Sequence, residues 1–173
     1  MANVDNPHGL RPVRHFQGGA IILAERKKLV ADAPAIFIGD AVNRLAAGGI
    51  DATGGAGSLL ISGVALTYGA TLTATTHLVI EDPYVVFEAQ DNDTVTGLVE
   101  ADMGLNANLE YNAGSATTFI SGHEINTTGK DVTATLDVKL LQKLNVPDNA
   151  YGANCRVEIL INKHRMHGAA VGV

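Results

Sequence analysis

The chain predicts an all-β fold, a single-domain β-barrel or β-sandwich with an extended N-terminal arm, and three observations carry that expectation. From residue 57 onward, short runs of β-branched, aliphatic or aromatic residues recur at intervals of roughly 8 to 12 residues, with turn chemistry between them and no helical pattern intervening. Apolar residues are 46% of the 173 and aromatic residues 5%, with no Trp, so the core is built from Val, Ile, Leu and Ala. The opening residues 1–19 are polar, locally basic and interrupted by Pro and Gly, without strand or helix periodicity.

Taken in order, the first element is that arm. Pro7 and Pro12 fix their own φ and bias Asn6 and Arg11 toward extended backbone. At ~3.3 Å per residue the segment reaches roughly 60 Å, farther than the diameter of a domain this size. Residues 1–19 are therefore expected as a docking arm and residues 20–173 as the β-rich body; the alternative is a frayed terminus. Residues 20–31 contain good helix formers, but Gly18-Gly19 before them and Pro34 after them frame a strand equally well, and strand is the favoured reading. Residues 41–47 suit one or two helical turns, left open against strand. The glycine-rich stretch 48–57 reads as a mobile surface loop. Strands are then expected over 64–68, 76–81, 84–90, 106–111, 117–121, 132–145 and 156–164. Gly69, Asp82-Pro83, Asp91-Asn92-Asp93, Asn112-Ala113-Gly114 and Thr127-Thr128-Gly129-Lys130 are expected to break them. In the last run Val157, Ile159 and Ile161 alternate with polar neighbours, so one face buries and the other is wet.

A chain of this length supports one core, burying roughly 70% of its unfolded surface, and is too short for two domains. The lone Cys155 excludes an intramolecular disulfide and a Cys-based zinc cluster. No basic start leads into an apolar run and no window is long and apolar enough to span a bilayer, so neither a signal peptide nor a membrane span is expected, and folding in a cytoplasm is. The net charge of −6 hides a segregation. Residues 1–28 carry five bases against two acids, residues 29–129 carry twelve acids and only Arg44, and residues 130–173 carry six bases and four acids. So acidic a middle repels nucleic acid, and only the arm has the sign that an acidic groove attracts.

Chemistry-bearing motifs are sparse, and each has a plainer reading. The glycine-rich loop lacks the Lys-Ser/Thr ending of a phosphate loop, and Gly55-Ala56-Gly57-Ser58-Leu59-Leu60 lacks the third glycine of a dinucleotide turn. Asp91-Asn92-Asp93 opens like a calcium loop, yet Asp102 stands where Glu should close it, so a solvated turn is expected. His164 and His167 would share a face only on a helix; on a strand they project to opposite sides. Ser121, His123 and Glu124 lack a nucleophile elbow. Cys155 is expected as a small, half-buried hydrophobe. No catalytic residue, cofactor or metal is expected, so the chain reads as a non-enzyme without a small-molecule substrate.

Three stretches carry a resemblance. Asn6-Pro7-His8-Gly9-Leu10-Arg11-Pro12-Val13-Arg14, Glu81-Asp82-Pro83-Tyr84-Val85-Val86-Phe87-Glu88-Ala89-Gln90, and Val146-Pro147-Asp148-Asn149-Ala150-Tyr151-Gly152-Ala153-Asn154 with the strand ending Asn162-Lys163-His164 resemble the head decoration, or cement, proteins of tailed bacteriophages. The family's usual Ala-Pro-Phe-Gly opening reads here Asn6-Pro7-His8-Gly9, with His8 in place of the aromatic. The resemblance implies a β-rich structural protein on the outer capsid surface of the virion, assembled in host cytoplasm, commonly a homotrimer. It would clamp the major capsid protein through its arms, with contacts on Gly9, Leu10, Arg11, Pro12, Val13 and Arg14. Phe16, with Leu10 and Val13, is the apolar part of that grip as read from the residues. A virion-surface adhesin or carbohydrate-binding β-sandwich is the alternative, disfavoured by four Tyr, four Phe and no Trp.

Overall fold

A computed structural model describes residues 3–28, 34–46, 48–52 and 60–167. They form eleven strands: β1 (Arg11–His15), β2 (Ala24–Lys28), β3 (Ala41–Arg44), β4 (Ile50–Ala52), β5 (Gly63–Ala65), β6 (Thr75–Ile80), β7 (Val85–Gln90), β8 (Asn106–Glu110), β9 (Glu124–Asp131), β10 (Val138–Lys143) and β11 (Arg156–Ile161). A 3-10 turn at Glu100–Asp102 is the helical element among the described residues. The all-β expectation holds.

Two sheets divide the strands by sequence position. β2 to β6 close into a barrel ordered β2-β4-β3-β5-β6, while β1 joins β7 to β11 in a six-stranded sheet ordered β1-β7-β11-β10-β8-β9. The barrel is thus an insertion between β1 and its partner β7. Arg26 after the start of β2 and Arg44 at the end of β3 both pair with Glu81, just beyond β6, which ties three barrel strands together at one carboxylate.

Period-2 patterning decides what the central strands bury. In β7, Val85, Phe87 and Ala89 enter the main core; in β11, Val157, Ile159 and Ile161 do the same. Leu10, Ala41, Ile61, Val64 and Ile80 join that core from the N-terminal segment and the barrel side, and Ala107, Leu109, Ile125, Val138 and Leu140 from β8, β9 and β10. A smaller cluster of Ile36, Val42, Ile50, Ala65 and Val79 fills the barrel. The opposite face of β7, with Val86, Glu88 and Gln90, is buried as well, so something must cover it. The cover is the N-terminal segment. Gln90 donates to Val4 O and accepts from Asn6 N, and His8 lies 3.4 Å from Glu88.

Several local expectations are corrected. The segment read as an arm, residues 1–19, is built into the body from Asn3 to His15: β1 pairs antiparallel with β7, and Leu10 is fully buried. The driving force is the otherwise naked face of β7. Within 20–31 the strand is confined to β2, with 29–31 outside the described residues. Residues 41–44 are strand rather than helical turns, because Ala41 and Val42 both point into apolar cores. In the supposed loop 48–57, Ile50–Ala52 is a barrel strand anchored by buried Ile50, and 53–57 lie outside the described residues. Residues 117–121 are a turn closed by Phe119 N donating to Ser115 O, with only Ile120 bridging to Ile38. Conversely the supposed break Thr127–Lys130 lies inside β9, where Gly129 adopts φ +90° in open space on an edge strand. Of 132–145 only β10 is strand, and of 156–164 only β11.

Candidate functional site: the N-terminal edge

The site begins with one rung across the six-stranded sheet. Register places Arg11 of β1 beside Glu88 of β7, Glu88 beside Glu158 of β11, and Glu158 beside Gln142 of β10. Two carboxylates directly opposite each other destabilise a sheet unless cations reach them. Arg14 donates to Glu158 Oε2 at 2.7 Å and Gln142 Nε2 to the same oxygen at 3.0 Å. Glu88 meets His8 and Arg156, each at 3.4 Å. His8 first, aided by the fields of Arg11 and Arg156 and opposed by burial, holds the Glu88 carboxyl below its usual range. The basic character of the segment is therefore spent largely on its own body.

The expected contact residues divide accordingly. Leu10 is core, and its N–H donates to Gly39 O at 2.9 Å. Gly9 sits at φ +66°, where a Cβ would stand 2.4 Å from Ser121 Cβ and 2.6 Å from Gly39 O, so only glycine fits the seat. Pro12, half-buried, is the register partner of Phe87, and Val13 is the bulge where the β1–β7 register shifts. Arg11, Val13, Arg14 and Phe16 remain exposed. The Arg14 guanidinium lies 5.9 Å from the Phe16 ring centroid, within cation–π reach.

Sequence reading missed the continuation of this surface. After Gly18 and Gly19, both at positive φ, the chain turns toward β2 with Ile22 72% and Leu23 45% exposed, while Ile21 packs on the core. The signal was present as an apolar triplet outside any strand pairing, though not which of the three turns inward. Also missed was Arg156, hidden inside a strand yet facing the N-terminal segment.

A polar cavity of about 190 Å³ opens beneath the segment, walled by His8, Arg11, Gln90, Asp148, Asn154 and Arg156 among others. A second surface feature lies near the barrel: Tyr68 stands between Phe37 and Phe119, with ring centroids 5.4 and 4.5 Å apart. Phe119 is 43% exposed and held at φ +60°, a conformation bulky residues rarely adopt.

The other motifs take structural roles. Asp91 accepts from Asp93 N, Leu98 N and Thr127 Oγ1, and Asp93 from Val95 N and from Thr96 N and Oγ1, which draws the Asp93 pKa down to about 2. They organise a turn, but Asp91 is fully buried rather than solvated, because it accepts hydrogen bonds from the chain around it. Ser121 Oγ accepts from His123 N, His123 Nδ1 from Ala41 N, and Glu124 from Asn112, so the three do not converge. Burial raises the Cys155 thiol to about 11, which keeps it protonated at neutral pH. The His164 and His167 rings, expected on opposite sides of a strand, lie 6.2 Å apart because β11 ends at Ile161 and the chain turns. Burial lowers His164 to about 4, and His167 stacks on Tyr84 at 6.1 Å. Among the described residues no three His, Cys, Asp or Glu side chains converge on a common point. Comparison with family models, with curated proteins and with solved structures finds no match.

Proposed function

We propose that this chain is a structural virion protein that binds the outer surface of a phage head and stabilises contacts between major capsid proteins, as a homotrimer. The observation that carries the reading is the N-terminal edge: Val13, Phe16, Ile22 and Leu23 are exposed within residues 11–23 together with Arg11 and Arg14, a mixed apolar and basic stretch on a molecule of net charge −6. Exposed apolar residues gathered on one edge mark an interaction surface. The resemblance of the opening, middle and late motifs to decoration proteins supplies the identity of the partner. Trimeric presentation would make the second and third contacts effectively intramolecular, raising avidity by about 10² to 10⁴.

The grip is through side chains rather than strand addition. β1 is a sheet edge, but Pro12 lacks an N–H, Val13 bulges and two arginines line the strand, which are the devices that keep an edge from recruiting another strand. The test mixes undecorated heads with the wild-type chain and with a Phe16→Ser, Ile22→Ser, Leu23→Ser triple variant. Decoration by the wild type and its loss in the variant, at unchanged far-UV circular dichroism, is the expected outcome. Equal decoration by both removes this edge from the interface, and no decoration by either sinks the reading.

The Phe37, Tyr68 and Phe119 group favours a second reading, a virion-surface adhesin for glycans, since exposed Phe119, backed by the half-buried rings of Tyr68 and Phe37, offers a stacking face to sugars. Glycan-array binding abolished by Phe119→Ala, with no affinity for heads, would select it.

A further inference from the structure

We infer that the cavity beneath the N-terminal segment is a binding site for a free α-carboxylate with an adjacent N–H, as presented by the C-terminal end of a peptide. The inference concerns the isolated chain and does not depend on the virion reading. Its walls hold two guanidinium groups in unequal situations. Arg156 is engaged with Glu88 at 3.4 Å through Nη1 alone, and no hydrogen bond or ion pair ties the Arg11 guanidinium to a described residue. The neighbouring cation Arg14 is committed to Glu158 at 2.7 Å, and Glu88 is already met by His8. The remaining acid on the wall, Asp148, stands exposed on the loop between β10 and β11 and forms no ion pair with Arg11. Two guanidinium forks on one small cavity suit a planar carboxylate, which they can hold bidentately.

The second half of the ligand is read from Asn154, another residue of the wall. Asn154 adopts φ +55°, held by its N–H donating to Asp93 O and its C=O accepting from Gln90, both at 3.0 Å. Its Oδ1 is buried with no hydrogen-bond donor. A buried acceptor left unmet is costly, so a donor is the chemistry this wall lacks. A carboxylate toward Arg11 and Arg156 and an N–H toward Asn154 or Asp148 is the arrangement at a peptide C-terminus. About 190 Å³ holds one terminal residue rather than a long segment.

The test is an NMR titration of the whole chain with acetyl-Ala-Ala carboxylate, its C-terminal amide, free alanine and inorganic phosphate. The carboxylate peptide is expected to move the resonances of Arg11, Asn154 and Arg156 saturably, with the amide at least about tenfold weaker. Arg11→Gln should weaken the peptide about tenfold while the fold is retained by far-UV circular dichroism, and Asp148→Asn should leave it bound. Alanine binding as tightly as the peptide would identify a free amino acid as the source of the same chemistry, and weaker alanine binding would identify a protein terminus. No saturable shift at these residues, equal binding of the amide, indifference to Arg11→Gln, or tighter binding of phosphate would each overturn the assignment.

Discussion

Glu88 and Glu158 face each other across two central strands, and His8 and Arg14 from the first fourteen residues join Arg156 and Gln142 in making this tolerable. Because the folded environment lowers the pKa of Glu88, its ionised form is the one that folding favours. That stability is complete above the unfolded carboxyl value and is lost as pH falls through the lower folded value. Glu88→Gln is therefore expected to destabilise by about 1–3 kcal/mol at pH 7 in urea unfolding, with the difference from wild type shrinking below about pH 4. A difference that persists unchanged in acid would show that packing, not charge, is at stake. Leu10→Ala removes a fully buried side chain and should cost about 2–5 kcal/mol in the same measurement. Gly9→Ala should cost at least about 1 kcal/mol, since both φ and space refuse a Cβ. Phe16→Ser, on the exposed side of the same segment, should stay within about 0.5 kcal/mol. At this scale the sequence shows which residues are basic and which apolar, and the sign of residues 1–28 was legible. That His8 and Arg14 are consumed within the chain was not, because Glu88 and Glu158 are far away in sequence and come together only through β7–β11 pairing.

At the level of elements, β1 decides what a truncation means. Removing residues 1–18 takes away an edge strand, the cover over Glu88 and Gln90, and the core residue Leu10. The remaining chain is expected to melt well below the full-length protein, by more than ten degrees if the loss reaches a few kcal/mol, as calorimetry would show. A shortened chain of unchanged melting temperature would restore the picture of a detachable arm. Strand runs rich in β-branched residues, such as β6, β7 and β11, were readable from alternation and turn residues. β4 was hidden in a glycine-rich stretch, because three residues suffice once Ile50 finds the barrel core and Asp51 and Asn43 pair across β3. The run 117–121 misled in the other direction: β-branched composition describes a half-buried pleated surface, and here the surface is a tight turn that presents Phe119.

For the whole molecule, the barrel inserted between β1 and β7 brings the basic opening and the acidic middle into one contact, so the −6 charge is less polarised in space than along the chain. What remains exposed on the N-terminal edge is Val13, Phe16, Ile22 and Leu23 with Arg11 and Arg14, whose charges act on Glu88 and Glu158 of the body. Head binding through this edge should consequently depend weakly on salt, falling less than about tenfold between 50 and 500 mM, because screening acts on few exposed charges. A steep salt dependence of decoration would return the weight to the arginines. Light scattering at two concentrations tests the proposed trimer, a mass near three chains at both being the expected result and a single-chain mass at both counting against it.

Sequence alone determined the β class, the aliphatic core, most long strands and the unusual sign of the opening segment, because periodicity, turn residues and charge are local properties. Only the tertiary structure decided where that segment goes. The polar face of β7 needs a cover and its carboxylate needs cations, and the opening residues supply both, so a stretch that reads as an outward arm folds back as an edge strand. The edge it leaves exposed and the cavity it roofs exist only as consequences of that packing.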